Sequence, residues 1–324
     1  MKKNITAVCL LLTALLVGGC QSNTGSADVS QSDGEEQSVS SGMEASSGET
    51  AEKNEEAASE ETQSDLFSDF INNNGSLLVS GHFQQANQMT EISFQAGAEY
   101  TFESLLELLH ESEYLSDVQP EVEYAYLDYP YRKAYAISLY FETATEGITQ
   151  FFILSEADGR LEMDFAIDGW SRRNPVITAS GVVWDSGSAG AGSHLYTTYV
   201  PDRDFEYKML SDVEENAYGF YFYDPDDSSV DTLNAIMEEA GNGNEDAMGV
   251  LYYREEVDGE IYYYFLGGDG SISQELVDYI DGIATEHGFT FDGKAAASEA
   301  EQSYVQRLGA EEYYDRQDEA EWVR

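Results

Sequence analysis

The chain changes character twice before residue 70, and those changes fix how much of it can fold. Behind Lys2 and Lys3, residues Ile5 to Val17 form a nearly unbroken apolar run. The run is about 13 residues long, against the ~20 that a membrane-spanning helix needs. It has the length and basic flank of an export signal and is set aside from the fold. From Gln21 to about Asp65 the sequence is Ser, Glu, Gly, Ala, Thr and Gln, with almost no apolar residue. Such a stretch buries too little surface to offset its ordering entropy, so a disordered acidic linker is expected. As a flexible coil of roughly 45 residues it spans ~35–40 Å and acts as a spacer. The remaining part, about 250 residues, is long enough to fold on core burial alone.

Charge narrows the partners. Lys and Arg number 15 against 63 Asp and Glu, a formal net charge of −48. Such a surface lacks the cations that displace counterions from phosphate, which argues against nucleic acid. It is also repelled by anionic lipid headgroups, so membrane attachment has to be covalent. The plainer reading, that acidity keeps a surface protein soluble, is the better account of the charge.

Two cysteines are present, and Cys9 lies inside the apolar run. Removal of the signal leaves Cys20 as the one thiol, so the mature chain has no internal disulfide and no thiol free for catalysis or zinc. The segment Val17-Gly18-Gly19-Cys20 resembles the lipobox of bacterial lipoproteins. The resemblance implies diacylglycerol and palmitate-type acylation on Cys20, cleavage before it, and anchoring at the extracytoplasmic face of the cell membrane. Two acyl chains give stable attachment where one does not. An ordinary secretory signal that contains a cysteine is the alternative. Gly-Gly-Cys at the end of the apolar run, with polar Gln21-Ser22-Asn23 after it, favours the lipobox.

Past Asp65 the sequence turns to Tyr, Phe, Val and Ile with regular turn signals. A helix is predicted over Thr101–Tyr114, with Thr101 as N-cap and Phe102, Leu105, Leu106 and Leu109 at helical spacing. From Glu121 the period becomes two, and strands are predicted around 122–126 and 135–141. Asp158-Gly159 and Asp258-Gly259 each read as hairpin turns between strands. Further strands are expected near 176–178, 182–184, 195–200, 205–210 and 218–223. A helix is predicted from Ser228-Ser229 to Gly241. Another runs from Ser271, with Gln274 completing a capping box, to Gly288. The tail from Ala295 reads as helical, with Tyr304, Val305 and Leu308 able to dock. The expected class is α+β: an antiparallel β-meander with a few packed helices. The expected division is 1–19 signal peptide, 20–65 lipidated Cys and linker, 66–215 an α+β domain with the meander, and 216–324 an α+β continuation on the same core.

Chemistry is sparse. Of His82, His110, His194 and His287, the second and fourth fall in last turns of predicted helices, where an imidazolium suits the dipole. No Gly-x-Ser-x-Gly elbow, zinc-spaced His pair, Walker or dinucleotide glycine pattern occurs. The loop Asp224-Pro225-Asp226-Asp227-Ser228 invites a calcium reading, but Ala235 stands where the closing bidentate acid is needed. Helix N-capping is the plainer account. Asp168-Gly169-Trp170-Ser171-Arg172-Arg173-Asn174 gathers scarce arginines beside a tryptophan, and Ser186 to His194 reads as a long glycine-rich hairpin loop. Asp168, Trp170, Arg172 and His194 are the candidate ligand-binding residues, an aromatic face with charge suited to a sugar or peptide. A core Trp, a surface Arg–Asp pair and a flexible loop are the alternative.

These stretches, with Ala125-Tyr126-Leu127-Asp128, are similar to those of a group of uncharacterised surface lipoproteins from gut-type Gram-positive bacteria. In that group the last motif continues into an Asp-Gly…Glu-Leu pattern resembling calcium loops. Here Arg132-Lys133 and Ala136-Ile137 stand instead, so no calcium role carries over to Asp128. The resemblance implies surface location and fold but no activity. The expectation is a tethered, non-enzymatic binding domain with an extracellular ligand, no cofactor and no metal. The alternative is an extracellular carboxylate-dependent hydrolase acting on glycans.

Overall fold

The computed structural model describes residues 65–87, 89–116, 118–267, 272–316 and 318–324. The expected signal peptide, Cys20 and the expected linker lie outside the described residues. Residues Ser64–Arg324 form one compact unit of mixed α and β structure.

Two six-stranded sheets make the frame. The first holds β1 (Leu77–Ala86), β2 (Glu99–Tyr100), β3 (Glu121–Leu127), β4 (Ala134–Glu142), β5 (Gly147–Ala157) and β6 (Arg160–Gly169). Its order is β2-β1-β6-β5-β4-β3. The second holds β7 (Arg173–Ile177), β8 (Val183–Gly190), β9 (Ser193–Pro201), β10 (Tyr207–Ala217), β11 (Val250–Val257) and β12 (Glu260–Gly267), paired strictly in sequence. Short connections join β7 through β10 and β11 to β12, so each strand folds back on its predecessor, whereas β11 returns to β10 only after residues 218–249. Asp158-Gly159 and Asp258-Gly259 both adopt left-handed backbone, φ 50° and 74°, then 53° and 80°, which matches the twist of a hairpin.

The sheets share a core. Phe165 and Ile167 of β6 and Ile153 of β5 meet Val183, Tyr199, Val200 and Tyr207 of the second sheet. The Phe165 and Tyr207 rings stack at 4.6 Å, and both side chains are fully buried. Burying one such side chain contributes about 1.5–3 kcal/mol. The Tyr207 hydroxyl, taken from water by that burial, donates to the Gly181 carbonyl at 2.7 Å. The other face of the first sheet is covered by α1 (Leu66–Ile71) and α2 (Phe102–Leu109), through Phe67, Phe70, Leu105 and Leu109. In the second sheet, Val250 and Tyr252 of β11 pack with α3 (Ser228–Gly243) and α4 (Gln274–Glu286). Helix α5 (Gly293–Leu308) lies on β10, β11 and β12, and α6 (Glu311–Tyr314) follows it.

Several expectations need correction. The antiparallel meander is interrupted, because β1 runs parallel to β6 and the chain returns to it only after β2 to β5. Helix α2 stops at Leu109, not Tyr114, although Thr101 caps it with Ser104 in a reciprocal box. Residues 218–223 form no strand. Tyr218 lies against Gly241, and Phe222 is buried under α3. The Phe222 backbone pairs with the Asn234 amide instead of a neighbouring strand, at 3.0 and 2.9 Å. Helix α4 is capped by Ser273, whose side chain accepts from the Leu276 amide; Ser271 lies outside the described residues. The division at residue 215 falls inside β10.

Candidate functional site

The candidate residues converge on the turn where the chain leaves the first sheet for the second. Trp170 and Arg173 exchange two backbone hydrogen bonds, of 2.8 and 2.9 Å, which leaves Ser171 and Arg172 at the tip. Both sides of this turn are tied. Ser171 donates to Glu146 at the end of the first sheet, and the Arg172 carbonyl accepts from the Ser188 amide of β8 at 2.9 Å. Ser188 stands opposite His194 in the β8–β9 register. Trp170 and His194 are therefore half-buried and Arg172 exposed on one corner of the molecule. His194 also neighbours Tyr196 on the same face of β9.

The glycine-rich stretch is not a loop. Strand β8 continues to Gly190 and β9 begins at Ser193, so Ala191-Gly192 is the whole turn. Its small residues answer to what lies over them. A Cβ at Gly187 would come within 2.9 Å of the Arg172 carbonyl, and one at Gly192 within 2.5 Å of the Phe220 ring. The stretch is small because the corner turn and Phe220 press on its backbone.

Asp168 does not belong to this corner. Its side chain is fully buried and accepts from the Thr90 amide at 3.0 Å and the Thr90 hydroxyl at 2.9 Å. Burial pushes its carboxyl above the usual range, against the pull of those donors. Its task is to hold Thr90, in the connection after β1, against the sheet. Arg173 points inward as well, pairing with buried Asp185 while Asn87 donates to the same carboxylate at 2.6 Å. Asp185 is also raised, since burial outweighs the attraction of Arg173.

The Asp224 loop acts as a clamp on α3. Asp227 caps the helix by accepting from the Ser229 amide, and also accepts from the Tyr263 hydroxyl. Arg254 donates to Asp224 at 2.6 Å. Asp128 is held by Arg316. Among the described residues, no group of three or more His, Cys, Asp or Glu is arranged to hold a metal ion. His110 and His287 both stand at helix C-caps, bonded to the Val118 carbonyl at 3.0 Å and to Glu239 at 2.9 Å.

Two constellations escaped sequence reasoning. In the first, Ser155 and His82 both bond to buried Asp164, at 2.7 and 3.1 Å. The Asp164 carboxyl is raised by burial, and the hydrogen bond to it raises His82. Asp164 lies between the other two, whereas a hydrolytic relay places histidine between serine and carboxylate. Sequence offers no signal for it, since His82 and Asp164 meet only where β1 bulges: Val79 is opposite Met163, but Gln84 is opposite Phe165. The second is under α5. There Glu301 is pushed up to about 7 by burial and by the Glu255 charge, with Ser211 bonded to it. Two concavities are lined by acids: one by Asp258, Glu260 and Glu299 with Arg307, the other by Glu91, Glu111 and Glu113. Neither includes the raised carboxyls of Asp164, Asp168, Asp185, Glu255 or Glu301.

No helix among the described residues is long and apolar enough to cross a membrane. The chain matches no protein-family model, no curated protein and no solved structure.

Proposed function

We propose that this is an extracellular lipoprotein, anchored through diacylglycerol on Cys20, that presents a non-enzymatic binding domain beyond a disordered acidic linker. Val17-Gly18-Gly19-Cys20, at the end of an apolar run too short to span a bilayer, supports the anchor. One observation carries the binding role. In a chain with 63 acids and 15 bases, Arg172 is exposed at a tied turn beside Trp170, and among the described residues it joins no ion pair. An exposed guanidinium on a turn that also carries a half-buried indole suits a ligand with an apolar face and a carboxylate or hydroxyl edge.

The hydrolase reading draws less support. A general acid needs a raised carboxyl facing a cleft. Raised Asp164, Asp168, Asp185 and Glu255 are instead buried, and neither concavity includes them.

The test is an array of wall fragments and host glycans probed with the wild type and with Trp170→Ala and Arg172→Ala. A ligand of this corner loses about tenfold or more in affinity with each variant. Ligands whose affinity neither substitution changes would contradict the assignment of the corner.

A further inference from the structure

We propose that the segment Tyr221–Tyr223 is a docking edge for a cationic peptide, which binds beside it as an added strand. The segment has the aromatics of a strand but pairs with none. Its inner side is satisfied all the same. The Phe222 amide donates to Asn234 Oδ1 at 3.0 Å, and Asn234 Nδ2 donates to the Phe222 carbonyl at 2.9 Å. One side-chain amide reaches both groups where the N–H and C=O of a residue point the same way, as they do in extended chain. Burial agrees, because Tyr221, Phe222 and Tyr223 alternate as exposed, buried and exposed.

Extended backbone turns the polar groups of successive residues to opposite sides, so those of Tyr221 and Tyr223 face away from Asn234. Among the described residues these groups make no hydrogen bond. The rings stand clear as well, Tyr221 at 57 % exposed and Tyr223 at 85 %. An edge with free donors and acceptors is a template for another strand. Tyrosine adds contact area at low cost in conformational entropy.

The edge is held in shape before a ligand arrives. At its start, the Phe220 amide bonds the Ala217 carbonyl at 3.0 Å around Gly219, whose φ is 86°. The Phe220 ring packs over Gly190 and Gly192. In the middle, Phe222 is buried in one cluster with Val230 and Leu233 of α3. At its end, Arg254 donates to Asp224 at 2.6 Å, and the Asp227 amide returns to the Asp224 carbonyl at 3.3 Å. An edge fixed at three points loses little freedom on binding.

Charge selects the peptide. No Lys, Arg or His occurs between Lys208 and Arg254, and Arg254 is claimed by Asp224. Asp226 follows the edge, and Asp231 and Glu238 stand one turn to either side of Asn234 on α3. All three are exposed, and among the described residues none joins an ion pair. Lys or Arg side chains on an added strand meet this charge, and tyrosine faces attract the same cations. An anionic strand is repelled. The site uses neither the Trp170–Arg172 turn nor the lipid anchor.

Fluorescence anisotropy with the full chain at about 0.15 M salt tests the edge, with a labelled peptide of about ten alternating Lys and Val residues as probe. The peptide should bind, and Tyr221→Ala and Tyr223→Ala should each weaken it about tenfold. A fully N-methylated counterpart keeps the charge but has no main-chain donor, so it should bind about tenfold weaker or worse. A Glu–Val peptide should not bind, and Trp170→Ala and Arg172→Ala should leave the Lys–Val affinity unchanged. Absence of Lys–Val binding, equal binding of the methylated or Glu–Val peptide, or unchanged affinity in either tyrosine variant would overturn the proposal. So would an equal loss in the Trp170 and Arg172 variants, or a Tyr223-dependent glycan ligand or self-association in place of peptide binding.

Discussion

Asp168 and Arg172 lie four positions apart and end in opposite environments, which shows what decides the role of a charged residue here. Asp168 is on β6, where the inward side of the strand takes it under Thr90. Arg172 is at the tip of the next turn, exposed, and among the described residues it joins no ion pair. Arg173, one residue on, is captured by Asp185 in the interior. The Asp185 side chain is wholly buried and that of Arg173 is 12 % exposed. Removing one member of such a pair strands the other charge away from water, at a cost of about 3–5 kcal/mol. Asp185→Ala should lower unfolding stability by that amount in urea titrations. A change below about 1 kcal/mol, the range of exposed pairs, would mean that the pair is solvated.

Elements divide into those that local chemistry specifies and those that only a distant partner specifies. The hairpins at Asp158-Gly159 and Asp258-Gly259, the Thr101 cap and the C-terminal stop at Gly288 were legible because each depends on a few adjacent residues. Helix α4 ends with the Phe289 amide on the Ala284 carbonyl and the Gly288 amide on Thr285, the pattern a left-handed glycine supports. Strand β1 was not legible. Its burial is irregular, it bulges between Val79 and Gln84, and its partner β6 lies some eighty residues away. The 218–223 segment fails in the reverse sense: it has strand-forming aromatics but no strand beside it. At the candidate site, Trp170, Arg172 and His194 were singled out from scarce residue types, and the turn at Ser171-Arg172 bonds to Ser188, which stands opposite His194. Asp168 was misassigned, because an Asp-Gly pair reads as an exposed turn whereas here the strand continues through Gly169.

At the scale of the whole molecule, buried carboxyls set the response to pH. Asp164, Asp168, Asp185, Glu214, Glu255 and Glu301 are all raised, chiefly by burial, and His82 is raised by its bond to Asp164. A group raised in the folded state contributes stability below its unfolded pKa and loses it as pH climbs through the folded value. For Glu301 that window runs from 4.5 to about 7. His82 acts in the same sense at higher pH, and Asp227, which is lowered, opposes it only on the acid side. The Tm should therefore fall by several degrees between about pH 5 and about pH 8, in the direction that self-repulsion among −48 formal charges also favours. A Tm that rises over this range in thermal melts would contradict the burial of these groups.

The same charge excess makes electrostatic docking on anionic lipid unfavourable, which leaves Cys20 as the proposed tether. Membrane fractionation of cells expressing wild type and Cys20→Ser, combined with metabolic lipid labelling, tests this most directly. The account predicts labelled wild type in the membrane fraction and an unlabelled variant released from it. Unchanged membrane retention of Cys20→Ser would contradict it.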